Sequence, residues 1–202
     1  MSMDNTLVIA TNNAGKAREF RAIFEPKGLT VKTLADFPDL TQVAETGTTF
    51  TENATLKATA VAEQTQLPVL ADDSGLMVDA LNGEPGIYSA RYAGDHDDAK
   101  NNAKLLAKLQ GVPAAQRGAG FHTSLVLIKP NGKKLVATGE VRGEILTAPR
   151  GEDGFGYDPL FYVPAEHATF AEMSLAQKNQ HSHRAKATAA MLPQFDEWWE
   201  EK

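Results

Sequence analysis

Val69-Leu70-Ala71 runs into Asp72-Asp73-Ser74-Gly75, and Leu76-Met77-Val78 runs out of it. Apolar runs on both sides predict a buried strand that ends at two adjacent carboxylates, a hydroxyl and a glycine. Adjacent carboxylates raise each other's cost of ionisation unless a cation or hydrogen-bond donors offset it. Divalent ions such as Mg²⁺, which take hard oxygen ligands, are the usual compensation. Gly75 permits close backbone approach or a positive φ at the turn. Asp, Ser and Gly are equally the ordinary residues of a polar strand-to-strand turn. The stretch alone is read either way.

Upstream, Leu7-Val8-Ile9-Ala10 is the compact apolar run of a strand buried on both faces. It stops at Thr11-Asn12-Asn13-Ala14-Gly15-Lys16, and helical periodicity follows with Ala17, Phe20, Ile23 and Phe24 on one face. Asn12 or Asn13 caps that helix, and Gly28 ends it. A polar loop between a buried strand and a helix N-terminus offers backbone N–H groups and a positive dipole end to an anion. Lys16 in the first turn suits a phosphate. A normally capped strand–helix turn accounts for the same residues, and Walker A spacing is absent. Residues 30–34 alternate like a strand and complete a β-α-β unit.

Glu45 falls in a polar loop, and an amphipathic helix runs from 48 or 49 to 66 with Thr49 and Glu52 at capping-box spacing. Lys57, at the edge of its apolar face, either carries its ammonium to water or reaches into a cleft. Residues 68–73 form the strand ahead of the Asp-Asp-Ser-Gly turn, and residues 83–92, with Tyr88 and Tyr92, read as an ordered loop. A helix is predicted over 97–110. Strands follow over 121–128 and 135–145, joined at Pro130-Asn131-Gly132, a strong hairpin signal. A hairpin after a β-α-β unit makes the sheet mixed.

Residues 150–159 form a second glycine-rich loop, whose glycines around Phe155 and Tyr157 suit close approach to a flat ligand. Beyond it come a short strand at 161–163, a helical turn at 170–175, and a polar stretch from 178 to 184 leading into a final helix over 185–199. His181 and His183 have H-x-H spacing, but no third ligand stands near, so a metal pair is not favoured. Trp198 and Trp199 pack the end of the chain or an interface. With no repeat or linker, the chain reads as a single two-lobed domain over residues 1–202.

Twenty Lys and Arg against 26 Asp and Glu give a net charge of −6 with no basic cluster, which argues against a long nucleic acid as partner. A small anion held by a metal and a few local cations is compatible with that balance. The absence of cysteine excludes disulfides, thiolate metal sites and a Cys nucleophile. No G-x-S-x-G elbow exists for a serine hydrolase. Residues 1–6 do not read as a signal peptide, and nothing approaches the roughly 20 apolar residues of a membrane span. A soluble cytoplasmic protein without a membrane partner is the expectation.

Taken in order, the motifs resemble the inosine triphosphate pyrophosphatase family, which hydrolyses deaminated purine triphosphates. The resemblance runs through Thr11-x-Asn13-x-x-Lys16, Glu45, Glu52-Asn53-Ala54 with Lys57, and Ala71-Asp72-Asp73-Ser74-Gly75-Leu76. It continues in the stretch from Pro85 to Tyr92, in Gly154-Phe155-Gly156-Tyr157-Asp158-Pro159 and in Ser182-His183-Arg184. Asn12 stands where many members have glycine, and both residues tolerate turns. The resemblance implies an α/β fold, two lobes around a long mixed β-sheet flanked by helices, with the active-site cleft between the lobes. It implies Mg²⁺-dependent hydrolysis of ITP, dITP or XTP to the monophosphate and pyrophosphate, by a homodimer. It assigns the phosphates to Thr11, Asn12, Asn13, Ala14, Gly15, Lys16 and Lys57. Asp73 is then the base and a Mg²⁺ ligand, Glu45 a second ligand, and Ser74 a substrate contact. Phe155, Gly156, Tyr157, Asp158, Lys178, His183 and Arg184 form the purine pocket.

The chemistry agrees with that assignment. A triphosphate brings several negative charges, which an acidic protein must offset locally. Donors such as Lys178 and Arg184 would pair with the 6-oxo group of hypoxanthine or xanthine and leave the 6-amino group of adenine opposed to a donor. Two alternatives share part of this pattern: a Mg²⁺-dependent pyrophosphatase for modified pyrimidine nucleotides, and a catalytically silent nucleotide-binding module. The first need not carry Ser182-His183-Arg184, and the second would be favoured by loss of Asp73 or Glu45, both of which are present.

Overall fold

The computed structural model describes residues 5–41, 43–94 and 97–201; residues 1–4, on which part of the signal-peptide reading falls, lie outside the described residues. The chain is α/β. Its first part holds β1 (Thr6–Ile9), α1 (Ala14–Phe24), β2 (Thr30–Thr33), α2 (Phe50–Thr65) and β3 (Val69–Val78). Then come α3 (Asp98–Lys108), β4 (Gly118–Ile128), β5 (Lys134–Ile145), β6 (Phe161–Val163), β7 (Ala168–Thr169), α4 (Leu175–His181) and α5 (His183–Glu200). Among the described residues, seven strands form one sheet in the order β2-β1-β3-β4-β5-β6-β7. β1 is parallel to β2 and β3, whereas β5–β6 and β6–β7 are antiparallel, so the sheet is mixed. Among the described residues no helix is long and apolar enough to cross a membrane.

Two compact units divide the chain, with the boundaries falling inside β3 after Asp73, inside β4 before Ser124 and inside β5 after Thr138. In the first unit, strand periodicity of two sorts side chains between the faces of the sheet. Leu7, Ile9, Leu70, Leu125 and Leu127 enter one core with Phe20 and Phe24 of α1 and Met191 and Phe195 of α5. Val8, Ala10, Val69, Ala71, Val126 and Ile128 enter another with Ala54, Ala58 and Val61 of α2. Burial on both faces is why these strands read as unbroken apolar runs.

The second unit has a single core, in which Leu76 and Val78 of β3, Phe121 of β4 and Val141 of β5 meet Leu105 and Leu109 of α3, Phe161 and Phe170. Glu140 and Arg142, which alternate with Val141, face solvent. The hairpin reading holds: Gly132 N donates to Lys129 O at 2.9 Å, and Lys129 N to Lys133 O at 2.9 Å.

Two expectations are corrected. No turn interrupts β3 at Asp72-Asp73-Ser74-Gly75, since the strand runs unbroken from Val69 to Val78. Likewise, residues 178–184 are not a polar approach to one final helix. They belong to α4 and α5, which meet at Ser182. α4 is opened by a capping box in which Ser174 and Gln177 satisfy each other's backbone N–H groups.

Candidate active site

Two carboxylates in the middle of a buried strand need cations on both faces of the sheet, because successive side chains point to opposite sides. The helices that cover those faces supply them. Asp72 has the parity of Leu70, on the α1 side, and Lys16 of α1 places its ammonium 2.5 Å from Asp72 Oδ1. Asp73 has the parity of Ala71, on the α2 side, and Lys57 of α2 approaches Asp73 Oδ1 at 3.5 Å. Lys57 therefore reaches inward rather than out to water. Its ammonium also donates to Glu45 Oε1 at 2.9 Å and to the Asp72 carbonyl at 2.9 Å.

The electrostatics follow from that packing. Burial pushes the Asp73 carboxyl above the usual range against the opposing pull of Lys57 and Lys16. Burial alone would lower Lys57, but Asp73, Glu45 and Asp72 together hold its ammonium above the ordinary lysine value. Asp73 is thus a buried carboxylate of raised basicity beside a fixed positive charge, which suits a proton acceptor.

The loop after β1 is a capped helix start. Asn13 caps α1 by accepting from Lys16 N at 3.1 Å, which decides between Asn12 and Asn13, and Thr11 Oγ1 accepts from Asn13 N at 3.1 Å. Thr11, Asn12, Asn13, Ala14 and Gly15 thus surround the N-terminus of an 11-residue helix, with Lys16 in its first turn. Asn53, missed as a positioning residue by sequence reasoning, is wholly buried in α2 and accepts from Gly47 N at 2.8 Å, anchoring the loop that carries Glu45. A side chain at Gly47 would run into Asn53 and Glu52. On β3, Ser74 Oγ shares a hydrogen bond with Thr123 Oγ1 at 2.8 Å.

Oxygen atoms of Glu45 and Asp73 converge on one ammonium, so two hard donors lie within reach of one small cation. Mg²⁺ is commonly held by one or two carboxylates, with water and phosphate oxygens completing its shell. Among the described residues no three His, Cys, Asp or Glu side chains are grouped to hold an ion by themselves. Glu45 and Asp73 are hard oxygen donors of the kind that fit Mg²⁺.

A second group of predicted residues gathers in the other unit. Lys178 Nζ lies 2.6 Å from Asp158 Oδ2, with both side chains buried. The same Asp158 oxygen accepts from Phe155 N at 2.9 Å, and a side chain at Gly154, whose φ is +87°, would collide with Asp158. Lys178 and Arg184 stand over the Phe155 ring, 4.4 and 5.4 Å from its centroid. His183 is buried and stacks on Phe121 at 4.9 Å and 11°. Two further predicted residues are held by other parts of the same unit. Tyr157 is in the core, its hydroxyl donating to the Ser89 carbonyl at 2.9 Å, and burial raises its pKa. Gly156 is gripped by α3 through Asp98 and Asn102, residues to which the sequence analysis gave no role. His181 pairs with Glu166 at 3.1 Å and takes no part in the cluster.

A profile of the Ham1 family matches residues 7–194. The chain is 61% identical over 199 residues to a dITP/XTP pyrophosphatase of Lactiplantibacillus plantarum, covering 98% of each chain. Its identity to a dITP/XTP pyrophosphatase of Geobacillus kaustophilus is 56% over 196 residues, with 96% of this chain and 94% of the relative covered. Among solved structures, the Staphylococcus aureus Ham1 protein superposes with a TM-score of 0.83 at 44% identity, covering 95% of this chain and 98% of that one.

Proposed function

The chain belongs to the Ham1 family, and on that premise we propose how its residues carry out the family's chemistry. The protein is a nucleoside triphosphate pyrophosphatase that hydrolyses deaminated purine triphosphates, dITP and XTP among them. The observation that carries the residue assignment is the convergence of Glu45 and Asp73 on the Lys57 ammonium.

Water attacks the α-phosphorus, a P–O bond forms there, and the bond to the bridging oxygen breaks to release pyrophosphate and the monophosphate. Asp73 takes the proton of the attacking water. Its burial makes it a stronger base than an exposed carboxylate, and mid-strand placement fixes its direction. Lys16, the first turn of α1 and Lys57 receive phosphate oxygens, so charge on the leaving group meets cations already in place. Glu45 and Asp73 would hold Mg²⁺, which when bound neutralises phosphate charge and polarises the α-phosphoryl group. Ser74 lies next to Asp73 on β3 and is assigned a substrate contact.

Purine selection falls to the second cluster. Phe155 offers a face for stacking, and Lys178 and Arg184 offer donors but no acceptors. A 6-oxo group pairs with such donors, and a 6-amino group leaves them unpaired. His183, held flat against Phe121, borders the same donors in sequence and is assigned to that cluster. We assign a cytoplasmic homodimer on the family reading.

Phosphorus NMR of the reaction with ITP tests this directly. Pyrophosphate and IMP as first products, lost on adding EDTA, are expected. Inorganic phosphate and IDP as first products would place the attack at the γ-phosphorus and contradict the assignment.

A further inference from the structure

The segment Gly154-Phe155-Gly156 has no regular secondary structure, yet three side chains fix its peptide groups. Asp158 accepts from Phe155 N. The next peptide is held from α3: Asp98 Oδ2 accepts from Gly156 N at 2.7 Å, and Asn102 Nδ2 donates to Gly156 O at 2.8 Å. Asp98 and Asn102 stand four positions apart, one above the other on one helix face, so a single helix wall grips both the N–H and the C=O of one residue. Asn102 Nδ2 also donates to the Asp98 carbonyl at 2.8 Å, which fixes its amide orientation, because both of its partners are acceptors. Its Oδ1 is buried with no hydrogen-bond partner. A buried acceptor left idle costs stability, and the two bonds that the same amide donates offset that cost.

Gly156 has φ +62°, a backbone state that side-chain-bearing residues rarely adopt, so the two grips also hold the chain in a conformation that other residues would leave. The residue before it is Phe155, whose ring faces Lys178 and Arg184. A ring carried on a loose loop would stack on any base, at the entropic cost of ordering the loop each time.

We propose that Asp98 and Asn102 are positioning residues that set purine selectivity by clamping Gly156, and through it the ring of Phe155, in register with the Lys178 and Arg184 donors. The proposal rests on the assignment of the Phe155 cluster to the base. Neither residue is assigned a substrate contact. Their contribution lies in presenting the stacking face already ordered, so that the loss from removing them falls on base binding and not on the hydrolytic step.

The test uses the full chain with Asp98→Ala, Asn102→Ala and the conservative Asp98→Asn, whose amide oxygen still accepts from Gly156 N. Two readouts are taken: kcat and KM for ITP and ATP, and hydrogen–deuterium exchange over residues 150–158 without nucleotide. Expected in the alanine variants are faster exchange in that segment and a KM for ITP raised about tenfold, the loss of one hydrogen bond's worth of binding. The kcat for ITP stays within about twofold, the ITP preference over ATP narrows, and Asp98→Asn restores most of the difference. Unchanged exchange, or a fall in kcat at constant KM, would overturn the clamp. Should wild type show no preference for ITP over ATP, the base assignment fails and the selectivity role with it, while exchange still decides whether the grip orders the loop. A variant that does not fold is replaced by Asn102→Asp, which keeps shape but removes the donors and is expected to raise both exchange and KM.

Discussion

Lys178 Nζ lies 2.6 Å from Asp158 Oδ2, with side chains only 5% and 4% exposed. Sealed from water, neither charge is tolerated without the other, and removing one partner of such a pair costs about 3–5 kcal/mol. The pair also aims an ammonium at the face of Phe155.

Lys178→Ala is therefore expected to lower thermal stability and to reduce the ratio of kcat/KM for ITP over ATP by about tenfold or more. Combining Lys178→Met with Asp158→Leu removes both charges. Differential scanning calorimetry should find stability recovered in part, since Phe155 N still lacks its acceptor, with selectivity still lost. An unchanged ITP to ATP ratio in either variant would remove Lys178 from base recognition.

Asp73→Asn keeps the size of the side chain and removes the proton acceptor. Turnover is expected to fall by about 10²–10⁴-fold, the usual contribution of a positioned base. Far-ultraviolet circular dichroism and the urea midpoint should show the fold retained. Activity near that of the wild type would refute the role given to Asp73.

How much of this was legible in the sequence depended on whether the cause was local. The Thr49–Glu52 capping box, the Asn131-Gly132 hairpin turn and the α1 cap use partners within a few residues, and all three formed as read. Asp72-Asp73-Ser74-Gly75 read as a turn because each residue favours one. What keeps it in a strand is Lys16 on one face and Lys57 on the other, contributed by helices remote in the chain. The Lys178–Asp158 pair and the grip on Gly156 likewise join distant segments, and no spacing rule marks them. α4 is different: Ser174 and Gln177 carried a capping-box signal that could have placed its start.

Glu52 gives a pH dependence with a definite sign. Hydrogen bonds from Thr48 N, Thr48 Oγ1 and Thr49 N favour its ionised form and lower its pKa from the ordinary 4.5. A carboxyl lowered on folding contributes stability that is present above its unfolded pKa and is lost as pH falls through the folded value. Glu52→Gln is accordingly expected to be less stable than wild type at pH 7, with the gap closing as pH drops below 4.5. Urea titrations across that range check it, and a gap independent of pH would contradict the role of the charge.

Lys129 closes the end of α5. Its ammonium donates to the carbonyls of Trp199, at 3.1 Å, and Glu201, and stands 4.9 Å from the Trp198 ring centroid. These carbonyls belong to the helix end, where intrahelical donors run out. Lys129→Met keeps the aliphatic stem and should cost about 1.5–3 kcal/mol. That corresponds to a Tm lowered by about 2–4 °C for each kcal/mol. Tryptophan fluorescence during heating checks it, and kcat is expected to be unchanged.

The most direct measurement is pyrophosphate release from ITP, XTP, GTP, ATP and dTTP, each with Mg²⁺ and with EDTA. Metal-dependent turnover concentrated on ITP and XTP, with ATP and dTTP slower by orders of magnitude in kcat/KM, is the predicted result. Comparable turnover of ATP, preferential turnover of a pyrimidine triphosphate, or ITP hydrolysis undiminished by EDTA would contradict the account.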